Sequence, residues 1–192
     1  MSDKRVGRVA GALYLLFGVL YVLGASLAAH ASSTSATFRA AVGIELLGNI
    51  AFIATAIALF VLLRHVNELA ARVMVVLVVL ASGVGYAEVV AQYTAHIAAS
   101  PAGEMEASSL FSGLWLLPLA YLVLKSGSFP RFVGVLLLIA AAGWLLQFSI
   151  YFFAPGLSVN VAVFRVLGIG ELVFIAWLLL FSVRPSRVEV TP

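Results

Sequence analysis

Residues 38–63 read FRAAVGIELLGNIAFIATAIALFVLL, and this stretch decides the fold. Its only polar side chains are Arg39, Glu45, Asn49 and Thr55. The hydrocarbon core of a bilayer is about 30 Å thick, so a helix that crosses it needs about 20 mainly apolar residues. A helix on the surface of a soluble protein would need a continuous polar face, and this stretch lacks one. The stretch therefore predicts a transmembrane helix.

Five other apolar stretches accompany it, and together they make up most of the chain. They cover about residues 9–29, 73–95, 110–124, 132–153 and 161–183. Of the 192 residues, 64% are hydrophobic and 10% are charged, whereas a soluble protein carries about 25% charged residues. We therefore predict an all-α membrane protein, with one transmembrane helical domain over residues 1–192 that forms a bundle of about six transmembrane helices.

Two of the six stretches allow a second interpretation. The basic start of the chain, its first apolar run and Ala29-His30-Ala31 resemble a cleavable signal peptide. The apolar part of a signal peptide is about 7–15 residues long and this run is nearer 20, so a spanning helix is favoured. The fourth stretch is short and contains Pro118. We expect its helix to begin earlier, near Met105, and to bend at the proline.

Composition and motifs exclude several classes of function. The formal net charge is +3, but the basic residues stand singly between apolar runs, so no nucleic-acid partner is predicted. The chain has no cysteine, which excludes disulfides, thiolate catalysis and iron–sulfur clusters. His30 and His96 alone make a poor zinc site, and the sequence lacks the short catalytic motifs of metalloproteases, phosphate-binding loops and serine hydrolases. We predict no cofactor and no metal. An intramembrane enzyme is the least favoured of three functional hypotheses, because no nucleophile–base pair can be read in the sequence.

The distribution of lysine and arginine predicts the orientation. Basic residues are retained on the cytoplasmic side of short loops, and alternation of six spans puts nine of them on one side. That orientation places both termini in the cytoplasm of a multi-pass protein of the cell membrane, which in a bacterium is the inner membrane. The nine are Lys4, Arg5, Arg8, Arg64, Arg72, Lys125, Arg131, Arg184 and Arg187, while Arg39 and Arg165 fall on the opposite side.

Two helical hairpins resemble each other in sequence. Residues 8–13 (RVAGAL) match residues 131–136 (RFVGVL), and residues 48–54 (GNIAFIA) match residues 170–176 (GELVFIA). Both hairpins start on the same side of the membrane, so their relation is that of a parallel repeat about the membrane normal. The third and fourth helices are then a degenerate third copy. The alternative is that apolar helices of similar length align by accident.

Eight polar residues within or near the apolar stretches form the predicted site. An ionisable group in the hydrocarbon costs about 2.5–3.5 kcal/mol on insertion scales, so it is a functional candidate by default. At about 1.5 Å per residue from the cytoplasmic basic residues, the eight fall in the outer half of the membrane. We expect them to point mainly into the bundle. The predicted ligand- or ion-binding residues are Glu45, Asn49, Glu88, Gln92, His96, Gln147, Arg165 and Glu171.

Spacing indicates which of these residues share a helix face. Glu88, Gln92 and His96 are four residues apart, so their side chains lie along one stripe of the third helix. Arg165 and Glu171 are six apart and face different directions on the last helix. We therefore expect Arg165 to pair with a carboxylate on another helix, Glu88 or Glu45, and not with Glu171.

The charges in this layer favour a binding function but leave a structural alternative open. Glu45, Glu88 and Glu171 share the layer with Arg165 and His96. In a low dielectric the carboxylates cannot all be ionised, because desolvation and like charges both disfavour the charged form. One hypothesis is a site that binds or transports a proton, a cation or a small molecule, with Glu88 and Glu171 as exchanging carboxylates and Arg165 as counter-charge. The other is a structural or regulatory subunit whose polar groups only specify helix packing.

Four segments carry a resemblance to a known family. They are residues 8–15 (RVAGALYL), 48–52 (GNIAF), 113–123 (GLWLLPLAYLV) and 170–174 (GELVF). With these segments the sequence is similar to the bacterial membrane family catalogued as domain of unknown function 4386, and the similarity covers nearly the whole chain. The resemblance implies a multi-pass bacterial membrane protein without an established activity, surrounded by membrane lipids, and the sequence leaves its oligomeric state open.

Overall fold

The computed structural model of the protein describes residues 3–32, 35–95, 108–154 and 167–181. Within these ranges every regular element is an α-helix, which confirms the predicted all-α class. The last helix is described from Ile169, and Met105, where the fourth was expected to begin, lies outside the described residues. The helices are α1 (Asp3–Ala29), α2 (Ala36–Leu63), α3 (Glu68–Ala95), α4 (Ser108–Lys125), α5 (Arg131–Phe153) and α6 (Ile169–Leu180).

Four of the helices are long and apolar enough to cross a membrane, and these four are α1, α2, α3 and α5. The described parts of α4 and α6 are apolar but shorter. Large apolar side chains cover the outside of the bundle, among them Val22, which is 67% exposed, and Ile50, which is 63% exposed. Water would disfavour such a surface and lipid would not, so the outer surface is compatible with a membrane protein.

Short polar signals set the ends of several helices. The Ser35 hydroxyl accepts a hydrogen bond from the backbone N–H of Phe38 at 3.1 Å and caps α2. Asn67 Oδ1 accepts from the backbone N–H of Ala70 at 2.9 Å at the start of α3. Gly127, with a φ of 63°, allows the tight turn between α4 and α5. Pro118 lies inside α4, which continues past it to Lys125.

The six helices form a closed ring. Each of the first five packs against the next along the chain, and α6 packs against both α5 and α1. The interior of the ring is filled by buried apolar side chains, including Leu59, Met74, Trp115, Leu137 and Phe174. Helix α1 is therefore an integral part of the bundle, which agrees with its interpretation as a spanning helix.

Glycines allow α6 to pack closely against both of its neighbours. A Cβ atom added at Gly11 of α1 would lie 2.9 Å from Cβ of Leu178, and one added at Gly170 of α6 would overlap the backbone carbonyl of Leu136 on α5. Small residues bring helix backbones close together in membranes, where packing replaces the hydrophobic driving force. Gly11 stands at a common small-residue spacing, so its role could not be inferred from that pattern alone.

The packing of equivalent glycines supports the interpretation of a repeat. Gly134 on α5 corresponds to Gly11 on α1 in the two similar segments. Gly134 packs against Leu124 of α4, and Gly11 packs against Leu178 of α6. In each case the glycine lies where the first helix of a hairpin contacts the helix before it in the ring. That helix is α6 for α1 and α4 for α5.

Candidate functional site: a carboxylate where three helices meet

Glu171 lies next to an interruption in the last apolar stretch. Leu167 is helical, Gly168 forms a turn, and α6 begins at Ile169. The backbone N–H of Glu171 donates to the carbonyl of Gly168 at 3.1 Å, so the carboxylate belongs to the first turn of α6. The sequence predicted one continuous span over residues 161–183. Residues 161–166 lie outside the described ranges, and within the described part a turn precedes α6.

Two helices each supply a hydrogen-bond donor to the Glu171 carboxylate. The hydroxyl of Tyr14 on α1 donates to Oε2 in a short hydrogen bond. The indole Nε1–H of Trp144 on α5 donates to Oε1 at 2.7 Å. Each carboxylate oxygen is therefore bound to a different neighbouring helix. The side chain is half-buried, and it connects the three helices α1, α5 and α6.

Within the described ranges, the groups that contact the carboxylate are neutral. In the described part of the chain, Tyr14 and Trp144 are its side-chain partners, and no lysine or arginine pairs with it there. The N-terminal end of a helix carries a partial positive charge, which stabilises a negative group in the first turn. Glu171 occupies that position in α6. The local field thus comes from oriented dipoles, and a proton or a cation can bind without displacing an ion pair within the described residues.

Tyr14 connects the carboxylate to a cluster that we call the aromatic core, which consists of Tyr14, Phe17, Phe52 and Trp115. The rings of Phe17 and Phe52 stack with their centroids 4.4 Å apart, and Trp115 meets Phe52 edge-on at 5.1 Å and Tyr14 at 5.7 Å. Tyr14 is only 2% exposed. These rings come from α1, α2 and α4, so the position of the Tyr14 hydroxyl depends on the packing of half the ring.

Glu45 and Asn49 form a separate group on α2. Asn49 Nδ2 donates to the backbone carbonyl of Glu45 at 3.2 Å, so it bonds to its own helix. The side chain of Glu45 packs over Gly24 of α1, where an added Cβ would overlap it. Asn49 and Glu171 occupy equivalent positions in the two similar segments 48–54 and 170–176. The two positions differ in the structure, because Glu171 is bound by neighbouring helices.

The remaining predicted site residues are described only in part. Glu88 on α3 and Gln147 on α5 are half-buried, and Gln92 lies on α3. His96 and Arg165 lie outside the described residues, and so does the expected ion pair of Arg165.

Depth along the helices separates Glu45 from the site around Glu171. At about 1.5 Å per residue, Trp144 lies roughly 20 Å along α5 from Arg131, while Glu45 lies roughly 29 Å along α2 from Arg64. The carboxylate that Trp144 binds is therefore nearer the middle of the bundle than Glu45.

The sequence analysis did not identify Tyr14 and Trp144 as site residues. Tyrosine and tryptophan are common as packing residues and as anchors at membrane interfaces, so neither residue stands out in the sequence. One available signal was depth: counted along the sequence at about 1.5 Å per residue, Trp144 lies roughly 20 Å from Arg131 and Glu171 roughly 20 Å from Arg184. The other was the family-like segment 8–15, which contains Tyr14.

Comparisons with known proteins agree with the resemblance seen in the sequence. The family model described as "Domain of unknown function (DUF4386)" matches residues 9–181. An "Uncharacterized protein" of Archaeoglobus fulgidus is 28% identical over 142 residues, which are 73% of this chain and 82% of that protein. No solved structure matches the chain.

Proposed function

We propose, for a chain that belongs to the family described as Domain of unknown function (DUF4386), that Glu171 is the centre of a binding site in a multi-pass membrane protein. The site binds or transports a proton, a cation, or a small molecule that carries a proton or a positive charge. The basic residues support an orientation in the cell membrane with both termini in the cytoplasm. The other partners are membrane lipids.

One observation carries this proposal: Glu171 lies in the first turn of α6 and is held by donors from α1 and α5. Ionisable groups are rare inside membrane-spanning helices, because they are costly to bury there. Where they occur, they often mark a substrate or ion pathway. Many transporters bind their substrates and coupling ions at interrupted helices near the middle of the membrane. Glu171 combines an ionisable group with the turn at Gly168 that precedes α6 in the described part of this apolar stretch.

The geometry suggests how occupancy of the site would be transmitted. A proton or a cation on the carboxylate reduces the negative charge on the two oxygens that accept from Tyr14 and Trp144, and so weakens both hydrogen bonds. Weakening the Tyr14 bond loosens α6 from α1, and weakening the Trp144 bond loosens α6 from α5. Either change alters the packing of α6 in the ring, and alternating access requires a helix or bundle that can be displaced in this way.

The indole of Trp144 offers a direct test, because its fluorescence responds to the charge that its N–H contacts. The purified protein is titrated with acid, Na⁺ and K⁺ in detergent, and the spectrum of the Trp144→Phe variant is subtracted from that of the native protein. We expect a saturable change in the difference spectrum that is lost in Glu171→Gln. A difference spectrum that stays constant through all three titrations would refute the proposal.

A structural role is the second candidate, and one observation favours it. Both oxygens of Glu171 already have donors, and Tyr14 is embedded in the aromatic core. A polar group that already has hydrogen-bond partners inside the bundle can have the sole role of specifying how the helices pack. In that case Glu171→Gln lowers the melting temperature, while the Trp144 difference spectrum of the native protein responds neither to acid nor to cations.

A further inference from the structure

A groove runs along the outer face of α2 near its N-terminal end. It has a volume of about 270 Å³ and is lined by Arg39, Val42, Gly43 and Leu46. These residues follow the spacing i, i+3, i+4 and i+7, so the groove extends along a single stripe of the helix. It lies far along α2 from the level of Glu171 and is independent of the site proposed above.

The missing side chain of Gly43 opens the groove. Among the described residues, no atom lies within 4 Å of a Cβ added at Gly43, so this part of the structure leaves the space above the glycine open. Val42 and Leu46 are half-buried on either side of it, and Arg39 is exposed at one end. In a membrane such a depression is filled, because unfilled space loses the dispersion contacts of its lining.

The position of the groove along α2 matches the polarity of a bilayer. At about 1.5 Å per residue, Arg39 lies roughly 38 Å from Arg64, which is at the other end of the helix. The hydrocarbon core is about 30 Å thick and the bilayer with its headgroups about 40–45 Å. If Arg64 lies at one interface, Arg39 lies among the headgroups of the opposite leaflet. Leu46, roughly 27 Å from Arg64, lies in the hydrocarbon.

We propose that this groove binds one glycerophospholipid of the leaflet at the N-terminal end of α2. The guanidinium of Arg39 contacts the lipid phosphate, and one acyl chain lies over Gly43 between Val42 and Leu46. Arginine presents five N–H donors in a planar fork, so it can bind a phosphate in addition to a protein group. The start of α2 at Ala36, one turn away, adds a partial positive charge.

Lipid fits this surface better than a second copy of the chain. A stable protein interface buries about 800 Å² on each partner, and a stripe of four residues offers much less. The surface of α2 beyond the groove carries exposed apolar side chains, Leu47 at 58% and Ile50 at 63%, which are suited to acyl chains. Free phosphate would use Arg39 but would leave the apolar part of the groove empty.

The test is lipid binding measured by native mass spectrometry of the full chain, released from detergent with increasing phosphatidylglycerol. Gly43→Leu fills the groove and Arg39→Gln removes the charge. The matched control is Gly83→Leu on α3, an exposed glycine whose added Cβ also meets nothing within 4 Å. We expect both groove variants to weaken binding of the first lipid about tenfold, which corresponds to ~1.4 kcal/mol, while the control binds as the native protein does.

Three results would overturn the proposal. Gly43→Leu could bind the first lipid as tightly as the native protein. Inorganic phosphate could compete fully with the lipid, so that the acyl chain contributes nothing. Alternatively, the native protein could be a dimer that Gly43→Leu dissociates, which would identify a second copy as the occupant. Circular dichroism of each variant confirms its helical fold, so a loss of binding is separated from unfolding.

Discussion

The hydroxyl of Tyr14 on α1 donates a hydrogen bond to the carboxylate of Glu171 on α6, across 157 residues of sequence. This bond joins the first and the last described helices of the ring. Its donor is anchored in the aromatic core, and its acceptor lies in the first turn after the interruption at Gly168. The bond therefore connects the aromatic core to the helix that carries the candidate site.

Removing the Tyr14 hydroxyl should destabilise the bundle through Glu171. We expect Tyr14→Phe to lower the free energy of unfolding in detergent by about 1.5–3 kcal/mol, the range for hydrogen bonds to charged groups. In a double-mutant cycle with Glu171→Gln, the two losses should be non-additive by at least about 0.5 kcal/mol. Strictly additive losses would mean that the two side chains do not interact in the folded protein.

The tryptophans allow a matched comparison of one hydrogen bond. Trp144 Nε1–H donates to Glu171, whereas the buried Nε1 of Trp177 has no hydrogen-bond partner among the described residues. Replacing either indole by phenylalanine removes a similar volume, but only Trp144→Phe leaves a carboxylate oxygen without its donor. We expect Trp144→Phe to lower the melting temperature more than Trp177→Phe does. Equal shifts would contradict the role assigned to Trp144.

Gly170 should tolerate no side chain. An added methyl group at this position overlaps the backbone of Leu136, so α6 would have to move away from α5. We expect Gly170→Ala to cost about 1–3 kcal/mol, as overpacking does in cores. Gly83→Ala, with open space around it, should instead gain up to about 1 kcal/mol from helix propensity. Chemical unfolding of the two variants side by side measures the difference, and a stable Gly170→Ala would disprove the close contact.

Tags should report the orientation of the chain. The asymmetry of basic residues predicts that a tag after Arg187 and a tag in the 32–35 loop lie on opposite sides of the membrane. We expect a membrane-impermeant reagent applied to intact cells to label only the loop tag. Labelling of both tags from outside would rule out the six-span arrangement with cytoplasmic termini.

The helices could be predicted from the sequence because most of the apolar runs are about as long as a helix that crosses the hydrocarbon core. The prediction placed both ends of α2 and α5 within two residues of their positions, whereas α1 and α3 begin six and five residues before the predicted starts at Val9 and Val73. The α-helical class is confirmed. Glu171 was identified as a candidate on the cost of an ionisable group in hydrocarbon. The same argument selected Glu45, whose side chain the structure packs over Gly24 of α1.

The partners of Glu171 could not be predicted, because depth along a helix says nothing about which helices are neighbours. Only the closure of the ring brings α1 and α5 to either side of α6. The turn at Gly168 was missed for a different reason. Glycine is common in this chain, and an apolar run with glycine but no proline gives no reliable signal of an interrupted helix.

Closure of the ring also constrains how the protein is made. Among the described helices, α1 and α6 are the one pair of ring neighbours that are not consecutive in the chain, so their contact must wait until the last helix has been synthesised. Until then the Tyr14 hydroxyl cannot reach the carboxylate that it binds in the folded protein. A ribosome stalled before Gly168 would therefore leave an open arc of helices, in which Gly11 faces lipid in place of Leu178. The last helix thus completes the assembly as well as the candidate site.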